Sequence, residues 1–415
     1  MNINFYRFSF QKITWIFTIA FCFIYVYLWE NRFIHSGLVY LLIGIFSLLC
    51  ILGSRKVPIN LSSKIFLLIV VINILGLTYS KADFFNSFSW CLSLAIAFLV
   101  YWELYISESN IKIILTVMCI ASSVFMIGIY GQYLGFSFVE SLNNILLKRA
   151  SNVSFAVLRS WGYYSGFSGY NVFSAIMIMI LMFIGISFFY NTKNSRIKIL
   201  SIFVVLLSFF GIIIVQKRGI FVACIVAMLI MLWHERLLKQ SVIQQISFFL
   251  IIAFFGLIIY YFLQSSTSGQ LFLNRFNNSD NISSNRFEIL NSLLKDWGSF
   301  FLIGNGPSST IVVNTANAHN IYAQVFYENG IVGLLLYLAF FFTNLFSAFK
   351  TLSFSKNKTS NLYKSFIISS ILFQIGFLIY GFFGNPINDL YIFIVYIIFS
   401  SIPNSKRTYE YYQTS

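Results

Sequence analysis

Apolar runs long enough to cross a bilayer recur from one end of this sequence to the other, and that feature excludes most folds. A hydrocarbon core about 30 Å thick needs roughly 20 consecutive apolar residues in a helix. Runs that meet or approach this length occupy residues 13–29, 37–52, 65–80, 84–102, 111–135, 171–190, 199–215, 219–233, 246–263, 321–349, 365–383 and 390–402. Inside hydrocarbon every backbone N–H and C=O must be bonded within the protein, so runs of this kind predict helices. The chain reads as an all-α polytopic membrane protein with about 12 transmembrane helices. Residues 1–415 form a single integral membrane domain on this reading. Composition agrees, since 59% of residues are hydrophobic and only 9% charged, against roughly 25% charged in a soluble domain.

Charge sets the orientation. With the N-terminus inside, the inner segments hold 17 of the 27 Lys/Arg but 4 of the 12 Asp/Glu. Clusters such as Arg55, Lys56 and Lys64, and Lys350, Lys356, Lys358 and Lys364, then face the cytoplasm, as the positive-inside rule requires. Both termini are expected in the cytoplasm, and the first run lacks a small-residue cleavage site, so it reads as a retained span. The formal charge of +15 is scattered between spans, which argues against a nucleic-acid surface and for membrane topology. Cys22, Cys50, Cys91, Cys119 and Cys224 all lie in apolar runs, where cysteine behaves as a small hydrophobe.

Two outer loops are long, residues 136–170 and the extracytoplasmic loop 264–320; loops of that length commonly carry function. The second contains a helical pattern, Phe287, Leu290, Leu293, Leu294 and Trp297, with Ser284 or Asn285 in position to cap it. Residues 199–233 are too long for one span, so a tight hairpin is expected at Gln216-Lys217-Arg218. That turn puts two cations on the outer face, against the general trend, with snorkelling as the plain alternative. Arg286 opens the loop helix, where a positive side chain opposes the helix dipole unless an anion compensates; pairing with Glu288 or Asp280 is the structural alternative. His319 stands where the long loop meets the next span, and an imidazole with an ordinary pKa near ~6.5 can take up a proton at neutral pH. A purely structural hydrogen-bonding role is the competing reading. Tyr322, one turn on, would share its face and could orient it.

The sequence has no DxD pair, no Walker or GxGxxG loop, no HExxH and no GxSxG elbow. Metal-ligand spacing is lacking as well, which points to metal-independent chemistry without a cofactor. No span carries a charge near its middle, as ion-coupled transporters commonly do.

Four motifs follow one another in order: Gln216-Lys217-Arg218-Gly219, Asn285-Arg286-Phe287-Glu288, Ile303-Gly304-Asn305-Gly306, and His319-Asn320-Ile321-Tyr322 leading into Glu328-Asn329-Gly330-Ile331-Val332-Gly333. Together they resemble the O-antigen ligase and polymerase superfamily, over a related region spanning residues 199–349. The resemblance implies a GT-C-like membrane glycosyltransferase of the bacterial cytoplasmic membrane, acting in O-antigen or capsule synthesis on undecaprenyl-diphosphate-linked glycans. It assigns Arg218 and Arg286 to the donor diphosphate, with Arg159 as a further anion contact. It makes His319 the base for the acceptor hydroxyl, while Glu328 orients His319 or supports structure. A chain-length regulator is the protein partner implied. The Gly384-Asn385-Pro386-Ile387-Asn388-Asp389 run is more similar to polymerases than to ligases. An exporter or flippase of lipid-linked sugar is the reading from another class.

Overall fold

The computed structural model describes residues 60–106, 111–146, 164–167, 171–235, 263–277, 286–295, 297–314, 319–354 and 361–404, with isolated positions in 41–51 and 256–261. The predicted span 13–29, most of 37–52 and much of 246–263 lie outside them, as does Arg159. The elements among the described residues are helical: α1 Leu61–Gly76, α2 Phe84–Ile106, α3 Ile111–Tyr133, α4 Ser137–Leu146, α5 Asn171–Asn191, α6 Ser195–Val215, α7 Arg218–Glu235, α8 Thr267–Asn277, α9 Arg286–Leu294, α10 Trp297–Phe300, α11 Thr310–Asn314, α12 Ile321–Phe354, α13 Asn361–Tyr380 and α14 Leu390–Ser401.

Six of these, within α2, α3, α5, α6, α12 and α13, are long and apolar enough to cross a membrane, while α1, α7 and α14 carry shorter apolar stretches. Each coincides with an expected run, but the ends move. The run read as 65–80 is helical from Leu61, because Asn60 caps it, its side-chain oxygen accepting from the Ser63 N–H at 2.6 Å. Local capping chemistry overrides the polar look of Ser62, Ser63 and Lys64.

The chain divides into two compact units, Met1–Met118 with Arg286–Ser415, and Cys119–Asn285. In the first, α1, α2, α12 and α14 meet on aromatic rings. Phe66 lies 4.7 Å from Phe340 and 5.6 Å from Phe98, centroid to centroid, and Phe393 closes the group at 5.9 Å. Next to it Tyr396 packs on Phe341 and Phe377 at 5.2 and 4.5 Å. Lipid tails are as apolar as these rings, so shape-matched contact holds the bundle, each ring pair contributing about 0.5–1.5 kcal/mol beyond burial. The Tyr101 hydroxyl donates to Asn344 Oδ1 at 2.8 Å.

The second unit is built on the α5–α6 hairpin. Small residues let the helices approach: a Cβ on Gly185 would stand 3.0 Å from Val205, and one on Gly211 3.0 Å from Ile178. α6 ends at Gln216, whose backbone is left-handed (φ 66°) and whose N–H returns to the Ile213 carbonyl at 3.0 Å. α7 starts two residues later at Arg218. The expected hairpin is present, and its left-handed residue is Gln216; Gly219 lies inside the first turn of α7.

Candidate functional site

Alternating spans must bring every second connection to the same end of a bundle. In the first unit four segments converge in this way. Lys81, between α1 and α2, donates its N–H to the Asn305 carbonyl at 3.1 Å, and Ile321 at the start of α12 donates to Gly381 at the end of α13 at 2.9 Å. Ser80 and Ser87 both donate to the Pro307 carbonyl, at 2.8 and 2.9 Å.

At this end α12 is broken. Gly330 has φ 63° and ψ −167°, which interrupts the helix. The loop Ile303-Gly304-Asn305-Gly306 fills the break and takes over the freed backbone groups. Asn305 and Gly306 donate to the carbonyls of Tyr327 and Glu328, both at 2.9 Å, and Ile331 donates to Phe301 at 2.7 Å. Broken helices are tolerated near a membrane only where such partners exist. The two motifs that stand apart in the sequence, Gly-Asn-Gly and Glu-Asn-Gly, are thus one structure. Gly304 is left-handed (φ 77°), and a Cβ there would lie 2.3 Å from Glu328 backbone atoms. For Gly304→Ala the conformation costs about 1–2 kcal/mol and the overpacking a further ~1–3 kcal/mol. We predict a clearly lower Tm for the detergent-purified variant; an unchanged Tm would contradict the pairing.

Glu328, 2% exposed, lies just before the break. Its carboxylate accepts from the Thr310 hydroxyl at 2.7 Å, from Gln324 Nε2 at 3.0 Å, and from the backbone N–H groups of Ser308 and Thr310. A buried carboxylate needs several donors of this kind. Gln324 extends the cluster to the connection between α13 and α14, bonding Asn388 at 2.8 and 3.0 Å and Asn385 through its side-chain oxygen. Asp389 in turn caps α14, accepting from the Tyr391 N–H at 3.1 Å; burial pushes its carboxyl up to about 6. Thr310, Gln324, Asn385 and Asn388 were not singled out as site residues from sequence. The signal available was a buried amide and a carboxylate four residues apart at one end of an apolar run.

His319 is exposed and left-handed, with φ 51°. Positive φ is uncommon outside glycine, although histidine tolerates it better than most residues, and such outliers collect at functional sites. Asn320 follows and caps α12, its Oδ1 accepting from the N–H groups of Tyr322 and Ala323 at 2.9 and 3.0 Å. Tyr322 donates its hydroxyl to the Leu378 carbonyl at 2.7 Å and packs on Phe382 with centroids 4.5 Å apart. The bonds of Tyr322 and Glu328 therefore fix the helix that carries the His319 turn.

Arg218 and Arg286 are each the first residue of a helix, α7 and α9. The first turn of α7 has no acidic residue, while that of α9 has Glu288. Helix N-termini carry partial positive charge, so an arginine there is a poor choice for stability and a good one for an anion. Arg218 is half-buried and belongs to the second unit; Arg286 and His319 belong to the first. The expected loop helix begins as anticipated but ends at Leu294, and Trp297 opens the separate α10. Leu293 of α9 packs with Phe300 and Tyr327.

No curated protein matches the chain. The family model described as O-antigen ligase matches residues 203–338. That stretch begins within α6 and ends within α12, taking in Arg218, Arg286, His319 and Glu328. The resemblance carried by the motifs is thereby a match to the O-antigen ligase family across residues 203–338.

Proposed function

We propose that this chain is a membrane glycosyltransferase whose donor is an undecaprenyl-diphosphate-linked oligosaccharide, and that it polymerises repeat units of O-antigen or capsule on the outer face of the bacterial cytoplasmic membrane. The observation that carries the reading is His319, exposed in a left-handed turn at the same end of its unit as the Gly304–Gly306 loop, within the family-matched stretch. The reading includes about 12 spans in a GT-C-like arrangement, a single membrane domain and cytoplasmic termini.

In the proposed reaction Arg218 and Arg286, with Arg159, hold the donor diphosphate. His319 takes the proton of an acceptor hydroxyl while that oxygen attacks the anomeric carbon. The bond from that carbon to the diphosphate breaks, its electron pair leaves with the phosphate oxygen, and the configuration inverts. Guanidinium groups match phosphate oxygens in pairs and stabilise the growing negative charge without a metal or cofactor. Tyr322 and Glu328 act as positioning residues, by fixing the helix that carries the turn. Gln324→Leu then leaves Glu328 and Asn388 short of partners at about 1–3 kcal/mol each, and we predict a fall in turnover larger than any change in donor affinity. Equal, parallel losses in both would mean simple unfolding.

Transfer of finished glycan to lipid A core, the ligase reaction, needs the same arginines and base, so the product decides. In a strain lacking the gene, core bearing a single repeat identifies a polymerase, which would work beside a chain-length regulator. Bare core with long glycan accumulating on undecaprenyl diphosphate identifies a ligase. A flippase instead leaves lipid-linked repeats on the cytoplasmic side.

A further inference from the structure

The exposed side of the chain changes chemistry within a few residues after α9. Among the described side chains of α9 and just beyond it, the exposed ones are Glu288, Asn291, Ser292 and Lys295, all polar. From α10 onward they are Trp297, Gly298, Ser299, Phe301, Leu302 and Ile303, apolar apart from Ser299, with Leu302 64% exposed. The backbone is tied to the broken helix, Ile331 donating to Phe301 and Val332, at 3.4 Å, to Leu302. Val332 begins an exposed apolar stripe on α12 that continues through Leu335, Phe342 and Phe346 and ends at Lys350, the next exposed charge. Eighteen residues separate Val332 from Lys350, about 27 Å of helix, which nearly spans the ~30 Å hydrocarbon layer. Leu302, paired with Val332, therefore sits at the far edge of that layer. Trp297 stands where polar exposure gives way to apolar, the level at which tryptophan collects in membranes. The Tyr79 hydroxyl also donates to the Ile303 carbonyl at 3.0 Å, joining the segment to α1, whose Leu68, Val71, Ile74 and Leu75 are exposed as well.

We propose that Trp297–Ile303 is not a water-exposed part of the loop but a foot seated in the acyl region of the adjoining bilayer leaflet. Its occupant is lipid hydrocarbon, because the segment continues the apolar outer stripes of α1 and α12 without a step. The consequence for the molecule is that the Gly304–Gly306 loop and Glu328 lie at the membrane boundary, where the polar head of any lipid-borne substrate resides.

The test uses the full-length chain with its five native cysteines replaced by alanine, carrying Leu302→Cys, Ile303→Cys or Ser292→Cys. Each is labelled with an environment-sensitive fluorophore and reconstituted in phosphatidylcholine vesicles with or without lipids brominated on the acyl chain. Labels at 302 and 303 are expected to be quenched at least twofold by the brominated lipid, and the label at 292 to be unaffected. Unquenched labels at both 302 and 303 would mean water or a second protein covers the segment; equal quenching at 292 would mean the boundary lies elsewhere. Either result overturns the proposal. No glycan enters the measurement, so its outcome is independent of the proposed reaction.

Discussion

Replacing His319 with asparagine is expected to lower glycosyl transfer by about 10²- to 10⁴-fold, the usual contribution of a positioned general base. Asparagine tolerates positive φ, so the turn at φ 51° survives while the proton-accepting nitrogen is lost. His319→Ala should lose at least as much. Donor affinity should change little in either variant, because the base acts on the acceptor hydroxyl. The discriminating readout is turnover against donor binding on purified protein in lipid nanodiscs. If binding collapsed and turnover at saturation survived, His319 would belong to donor recognition instead.

Arg218→Ala and Arg286→Ala should act on the other partner. Hydrogen bonds to charged groups contribute about 1.5–3 kcal/mol each, so losing one weakens diphosphate binding by roughly 10- to 150-fold. A lysine should recover only part, since it lacks the planar fork that grips two phosphate oxygens. These positions also yield a readout that a structural role would not. Saturating donor raises the Tm of a protein that binds it; the parent should show that rise and the variants should not. A variant that kept the donor-induced rise would take that arginine out of the diphosphate site.

Much of the fold was legible because membrane spans obey one rule, continuous apolarity, that needs no tertiary knowledge. The hairpin at Gln216 was legible for the same reason, since thirty-five residues exceed one crossing. The ends of α1 were not, because a cap such as Asn60 turns polar residues into helix. The break at Gly330 also escaped. The run 321–349 is apolar around it, and the break is permitted by a distant partner, the Phe301–Gly306 backbone. His319, Arg218 and Arg286 stood out as charged or titratable groups in unusual places. Thr310, Gln324 and Asn388 did not, since uncharged side chains gain meaning only from their partners, the Glu328 carboxylate for Thr310 and Gln324, and Gln324 for Asn388. Trp297 was read as part of one amphipathic helix with Phe287 and Leu293, when the chain turns at Lys295 and exposes it instead.

The central claim is chemical: one glycosidic bond forms for each polyprenyl diphosphate released. The most direct measurement reconstitutes the purified chain with an undecaprenyl-diphosphate-linked oligosaccharide as sole substrate and quantifies free undecaprenyl diphosphate alongside product length. We predict release in step with chain growth, unchanged by a chelator and abolished in His319→Asn. Movement of the intact lipid-linked oligosaccharide across the bilayer, with no diphosphate released, would contradict a transferase and make the protein an exporter.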